Sequence, residues 1–391
     1  MVGFFAFISK KIIDYKFSNI LAHSITNQTL HDFITSDEIY IERLVLNKFL
    51  QDKVCIETEL FSICFDGVVL NLNSLLIKNS ANNLEELLLQ NINCIKTLIQ
   101  DFRGSFSGLI YNKKTKNLMF FTDHFAHKTL FYAIYNGIII VSSEVFPIVK
   151  FLRNNGIKYE YNPVGLYSMI TYGYMYEDNT MVEGIKRVKE GEIHTINLNG
   201  SHSIDKYFRF KNSIINIKTE DAIEQLDYLF KEAVKLQYEK NLQNGYSDNV
   251  PLSAGLDCRM TSFVLKEISQ DSFLNFTYSE TEELDFVEPS RMAKALGNKW
   301  LFKSLDNGLD LLSIEQSVAF LVGVFHRLQG VAGSIYSVEL FYESSRSGAS
   351  FLDGFLIVVD LKLQGIRVEI SQIRGQEPQG NFILLADNSR Q

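Results

Sequence analysis

The sequence predicts a sheet-dominated α+β half followed by a parallel α/β half, and three observations carry that expectation. Up to about residue 205 the chain runs in short stretches rich in β-branched and aromatic residues, punctuated by turn residues. From Thr219 apolar residues recur at helical spacing instead. Beyond Val250 strand-like and helix-like segments alternate, the pattern of a parallel sheet with crossover helices.

Each element follows in order. Met1 to Ser9 is apolar without a basic start or a small-residue cleavage site, so it reads as a buried strand and not as a signal peptide. Leu118 to Thr122, Thr129 to Ile134 and Gly137 to Ser142 read as strands, joined by hairpin turns at 112–117 and 135–137. A boundary near 205–218 separates a domain at 1–210 from one at 215–391. Ala222, Ile223, Leu226, Leu229, Phe230, Ala233 and Val234 mark a helix, with Thr219 placed to cap it. Then come strand-like Val250 to Leu252, helix-like Met260 to Ile268, strand-like Phe273 to Tyr278, helix-like Val287 to Leu296 and strand-like Trp300 to Leu305.

Bulk properties narrow the function classes. A chain of 391 residues is long for one domain, since domains run roughly 100 to 200 residues. Its formal net charge of −8 argues against a nucleic-acid surface, which depends on clustered Lys and Arg. Cys55, Cys64, Cys94 and Cys258 form no CxxC pair, which argues against zinc and a dense disulfide framework and fits a reducing cytoplasm. No apolar run reaches the 18 or so residues of a membrane span.

In an open parallel sheet the ligand sits beyond the carboxyl ends of the strands, and the first strand-to-helix turn favours phosphate. Leu252-Ser253-Ala254-Gly255-Leu256-Asp257-Cys258-Arg259 occupies that turn. Small residues at 254 and 255 let backbone N–H groups approach a pyrophosphate, the helix opening near Cys258 adds its positive end, and Asp257 suits Mg2+. The residue pattern alone is weak, and its position between strand and helix is what gives it meaning. An ordinary capped turn is the bland alternative, and a nucleophilic Cys258 the other, with no histidine nearby in sequence to activate it.

At this loop the chain resembles the asparagine synthetase family, whose PP-loop reads Ser-Gly-Gly-x-Asp-Ser and binds the pyrophosphate of ATP. Asn275-Phe276-Thr277-Tyr278 is similar to the family's second strand, and the resemblance places Thr277 and Tyr278 at the adenosine. Asp285 through Ala293 to Leu296-Gly297 resembles the following helix. Ala254 stands where the family has glycine, which would cost about 1 to 2 kcal/mol if that position needs a positive φ. Cys258 replaces a serine with a weaker donor.

The first half resembles the same family. Phe65-Asp66-Gly67-Val68-Val69-Leu70-Asn71, Arg103 to Gly108, Asp123 to Tyr132 and Ser142-Ser143-Glu144 are similar to its class II glutamine amidotransferase signatures. The resemblance implies an Ntn-hydrolase-like αββα domain. That chemistry uses a cysteine at the second residue, where this chain has Val2, which cannot attack an amide. Asp66 with Gly67 stands where the family's asparagine donates to the oxyanion, and a carboxylate there would repel it.

The remaining candidates have bland readings. His124 and His127 read as solvated or capping residues of a turn in preference to metal ligands, and Glu282, Glu283 and Asp285 as an acidic helix start in preference to metal carboxylates. Asp353-Gly354 resembles the start of the family's glycine-rich acidic turn, but Ile357-Val358-Val359 follows. The chain is family-like to about 356. Residues 357–391 hold five glutamines and a single lysine, Lys362, against a lysine-rich text before them. Either a variable tail or a lost reading frame accounts for that.

The resemblance implies an ATP- and Mg2+-dependent ligase that makes an amide through an acyl-adenylate, with a small carboxylic acid or peptide as substrate. Nitrogen would come from ammonia or another amine, and a homodimer stays open. The alternatives are an inactive truncated homologue, a lactam- or isopeptide-forming relative, or a remnant kept to bind a partner.

Overall fold

The computed structural model describes residues 3–10, 15–17, 20–21, 29–135, 137–210, 216–269, 272–279 and 284–304, with three short pairs at 350–351, 367–368 and 384–385. The chain divides into a unit at Met1–Arg209 and a unit at Phe210–Gln391.

In the first unit the strands are β1 Gly3–Ile8, β2 Thr29–Thr35, β3 Ile39–Leu46, β4 Val54–Glu57, β5 Phe61–Val69, β6 Gly104–Asn112, β7 Asn117–Thr122, β8 Phe131–Tyr135, β9 Ile138–Ser142, β10 Ile185–Arg187, β11 Glu192–Asn197 and β12 His202–Lys206. Helices α1 Leu72–Asn79, α2 Leu84–Gln90 and α3 Ile95–Gln100 interrupt them early, and α4 Val145–Asn154 and α5 Pro163–Tyr172 later. The strands pair into two six-stranded sheets, β10-β8-β9-β1-β3-β2 and β12-β11-β7-β6-β5-β4, with antiparallel neighbours throughout.

Alternation of side chains along each strand decides which layer each residue joins. Phe4, Ile41 and Val141 of the first sheet meet Leu109, Phe120 and Ile196 of the second in a core between the sheets. The outer face of the second sheet, with Phe65, Phe106 and Phe121, is covered by Leu75, Leu87 and Leu98 of α1 to α3. The outer face of the first is covered by α4, whose Phe151 ring packs 4.8 Å from Phe7 and 5.7 Å from Phe5. The layers therefore run helix, sheet, sheet, helix. β1 is buried at every position, which is why its apolar run shows no polar alternation.

The second unit holds α6 Thr219–Gln243, β13 Asp248–Pro251, α7 Leu256–Ser269, β14 Leu274–Ser279, α8 Leu284–Leu296, β15 Lys299–Ser304 and the short β16 Ser350–Phe351. Ala222, Leu229, Phe230, Ala233 and Val234 of α6 pack on Val250, Val264, Leu265 and Phe273. Thr219 is the first helical residue and not the cap. Lys218 occupies the cap position, and no side chain bonds there. The sheet is parallel, in the order β15-β14-β13-β16. Among the described residues no helix is long and apolar enough to cross a membrane.

Candidate functional site

Two constellations stand out, one in each unit. In the second, successive strands β13, β14 and β15 step to one side while β16 pairs on the other side of β13, so the strand order reverses beside β13. A reversal of this kind opens a crevice at the carboxyl end of the strand, where ligands of open parallel sheets bind. Ser253, Ala254 and Gly255 form the turn from that end into α7.

Side chains of the neighbouring strands hold the turn from below. Leu252 is buried, and its N–H donates to the Phe276 carbonyl at 2.9 Å. The Thr277 hydroxyl donates to the Leu252 carbonyl at 2.7 Å and accepts from the Trp300 indole at 2.9 Å. Asn275 donates to the Val250 carbonyl and to Ser262 of α7, and accepts from Asn298 at 2.8 Å. Three strands and a helix are thereby tied below one loop. Asn275, Asn298 and Trp300 carry that positioning, and the sequence reading assigned none of them this part.

Within the turn the Ser253 hydroxyl accepts from the Gly255 N–H at 3.1 Å, which folds the chain into the helix. Neither Ala254 nor Gly255 adopts a positive φ, so the Ala254 methyl carries none of the strain a left-handed residue would. A side-chain carbon at Gly255 would meet only the Ser253 hydroxyl. The helix opens at Leu256, two residues earlier than expected, and Asp257 lies exposed in its first turn. The N–H groups of a helix start beside an exposed carboxylate suit a polyphosphate bridged by a divalent cation. Among the described residues no group of three or more His, Cys, Asp or Glu side chains is placed to hold a metal unaided. Glu282, Glu283, Asp353 and Gly354 lie outside the described residues, as does the side chain of Asp285.

In the first unit Asp66 and Gly67 sit in β5, with Gly67 opposite Phe106. A side-chain carbon at 67 would come within 2.5 Å of the Ser105 carbonyl, so β6 itself demands glycine there. Asp66 is almost wholly buried and ion-paired to the Lys128 ammonium at 2.6 Å. Burial alone would raise its pKa, but Lys128 and Lys53 hold it below the ordinary carboxylate value. The carboxylate expected to repel an oxyanion is thus neutralised by its own lysine, an offset invisible in the sequence.

Lys128 is delivered by a turn built around Asp123, which is completely buried. One oxygen of Asp123 accepts from the N–H groups of Phe125 and His127 and from the His127 ring, and the other from the N–H of Lys128 at 2.8 Å. His124 is no solvated turn residue. It is buried against Phe106, Tyr207 and Phe208, and burial lowers its pKa to about 4, so it is neutral at pH 7. Lys53 is also desolvated, which lowers its pKa to about 8, and its ammonium donates to the Lys48 carbonyl. At the start of β1, Phe4 N–H donates to the Ser143 hydroxyl at 3.0 Å. Val2, the residue before Gly3, lies outside the described residues.

Residues 61–208 match the family model of the glutamine amidotransferase domain. The matched stretch begins at β5 and runs past β12, so it contains Asp66, Asp123 and Lys128. The chain is also 22% identical over 253 residues to asparagine synthetase [glutamine-hydrolyzing] 1 of Bacillus subtilis (strain 168), across 62% of this chain. It spans only 39% of that protein's length. Among solved structures it is similar to the glutamine phosphoribosylpyrophosphate amidotransferase from B. subtilis, complexed with ADP and GMP. That likeness has 12% identity and a TM-score of 0.35, covering 77% of this chain and 65% of that one. A structure of the allosteric regulatory enzyme of purine biosynthesis is similar at 10% identity and a TM-score of 0.32, covering 92% of this chain and 86% of that one.

Three charged residues of the first site escaped the sequence reading. Arg43 projects from β3 on the face that lines the inter-sheet core, donating twice to Asp32. Lys53 and Lys128 sit far apart in sequence, and only the sheet pairing gathers them around Asp66. The Asp-x-x-x-x-Lys spacing from 123 to 128 was the available signal for one of them.

Proposed function

We propose that this chain is an asparagine-synthetase-like ligase whose second unit binds ATP with Mg2+ and activates a small carboxylic acid or peptide carboxylate as an acyl-adenylate. The observation that carries the reading is the turn at 253–255, placed at the carboxyl end of β13 where the parallel strand order reverses. The similarity to a B. subtilis asparagine synthetase supports the same chemistry. The α7 N–H groups would hold the phosphates, Asp257 the cation, and Thr277 and Tyr278 the adenosine side. Activation moves the difficulty of amide formation onto cleavage of ATP, and the amine then attacks a reactive acyl group.

The first unit is read as an Ntn-type glutaminase fold without its hydrolytic chemistry. Val2 offers no nucleophile, and the Asp66–Lys128 pair replaces a neutral amide donor. Ammonia or another amine is therefore the nitrogen source. Two measurements test the proposal. Calorimetric titration with MgATP should show binding that falls at least about tenfold, about 1.4 kcal/mol, in Asp257→Ala. No heat and no thermal stabilisation at millimolar MgATP would leave a binding remnant as the better account. Incubation with glutamine should release no glutamate above background, and turnover would overturn the reading of Val2.

A further inference from the structure

We propose that Cys55 and Cys64 form an oxidation site that a hydroperoxide converts to a reversible intramolecular disulfide. The two residues lie directly opposite one another on the antiparallel strands β4 and β5. Opposed Cα atoms of such strands are about 4.5 to 5.5 Å apart, inside the range a disulfide spans without backbone movement. Their side chains share the inter-sheet face and touch. Cys64 is fully buried, Cys55 is half-buried on the edge strand of its sheet, and the two thiols share a hydrogen bond.

The charges around the pair differentiate its members. With Cys64 as donor and the Arg43 guanidinium nearby, Cys55 lies below its ordinary value despite burial. Burial and the same hydrogen bond push Cys64 well above its own. Arg43 reaches this layer from the opposite sheet, held there by Asp32, whose carboxylate accepts at 2.7 and 2.9 Å. A half-buried edge-strand thiol with its pKa lowered beside a cation, backed by a buried protonated thiol, is the division of labour of an attacking and a resolving cysteine.

The chemistry balances with a hydroperoxide as oxidant. The Cys55 thiolate attacks the terminal peroxide oxygen, the O–O bond breaks, and the departing oxygen is protonated and leaves as an alcohol, or as water when the oxidant is hydrogen peroxide; Cys55 is then a sulfenic acid. The Cys64 sulfur attacks that sulfur, the S–O bond breaks, the thiol proton goes to the departing hydroxide so that water leaves, and the S–S bond forms. Two thiols are oxidised as one peroxide is reduced. The new bond ties the edge strand to β5 two residues from Asp66, on the same face.

The test uses the full chain, reduced, desalted and treated with hydrogen peroxide, then alkylated under denaturing conditions. Glu57 and Glu59 separate the two cysteines, so cleavage after glutamate resolves a cross-linked pair by mass. The expected product has lost two hydrogens, joins the 55 and 64 peptides, leaves Cys94 and Cys258 alkylated, and reverts with dithiothreitol. Cys55 should be oxidised ahead of the exposed Cys94. Cys64→Ala should stop at a sulfenic acid on Cys55 that dimedone traps, and Cys55→Ser should leave Cys64 a thiol. Circular dichroism of both variants separates loss of chemistry from loss of fold, and the parent's cross-link decides the matter if either variant unfolds. Full alkylation of both residues after peroxide, sulfinic acid on Cys55 beside an intact Cys64, or a disulfide to Cys94 or Cys258 would each overturn the proposal.

Discussion

At the scale of single residues, Asp123 carries the largest share of the first site's geometry. Its carboxylate satisfies four backbone N–H groups, those of Phe106, Phe125, His127 and Lys128, and one imidazole inside the core, and Lys128 hangs from the turn it organises. Asp123→Ala should destabilise the protein by about 3 to 5 kcal/mol, because several buried donors lose their partner at once. Urea unfolding gives the number, and a change under 1 kcal/mol would contradict the account. His124 makes a pH prediction. Its pKa falls from 6.5 to about 4 on folding, so its contribution is complete above pH 6.5 and is lost as the pH drops toward 4. His124→Phe should therefore lose less stability between pH 7 and pH 5 than the parent, read as the shift in urea midpoint.

At the scale of elements, the strand-turn-helix at 248–269 is held by polar ties as well as by its apolar packing on the helix at 219–243. Asp248 opens β13 buried, with its pKa raised to about 6 by burial although the Asn241 amide pulls the other way. A carboxyl that holds its proton more tightly when folded favours the fold below about pH 4, and that benefit disappears as the pH rises through 6. Asp248→Asn should consequently gain stability over the parent at pH 8 and show no gain at pH 4, measured by thermal melting at both. Much of this unit was legible beforehand. Strand and helix periods alternated in the text, and a Ser-x-Gly-x-Asp turn stood at the first crossover. Asn275, Asn298 and Trp300 were not legible as supports, because their partners belong to other strands and only the parallel register brings them together. In the first unit hairpin turns announced the strands, yet Cys55 and Cys64 looked scattered until pairing set them face to face. Thr219 was read as a cap from residue type, whereas the helix starts on it.

At the scale of the whole chain, the two units have separate cores, one built between antiparallel sheets and one between α6 and a parallel sheet. A ligand that grips the second should register there first. Saturating MgATP should slow amide exchange in β13 and α7 and leave β5 to β7 unchanged, and equal protection of both units would count against a nucleotide site confined to the second. The Asp66–Lys128 pair, for its part, gives sequence change a direction. The lysine side chain is about a third exposed and the aspartate 1% exposed. Altering Asp66 first lets the ammonium turn to water, whereas altering Lys128 first removes the only contact ion pair that the buried carboxylate makes among the described residues and leaves it the more distant charges of Lys53 and Arg43, at a cost of about 3 kcal/mol. A lineage drifting toward or away from this pair can pass through one single-substitution intermediate far more readily than the other. Comparing Asp66→Asn with Lys128→Met in urea would show which door is open.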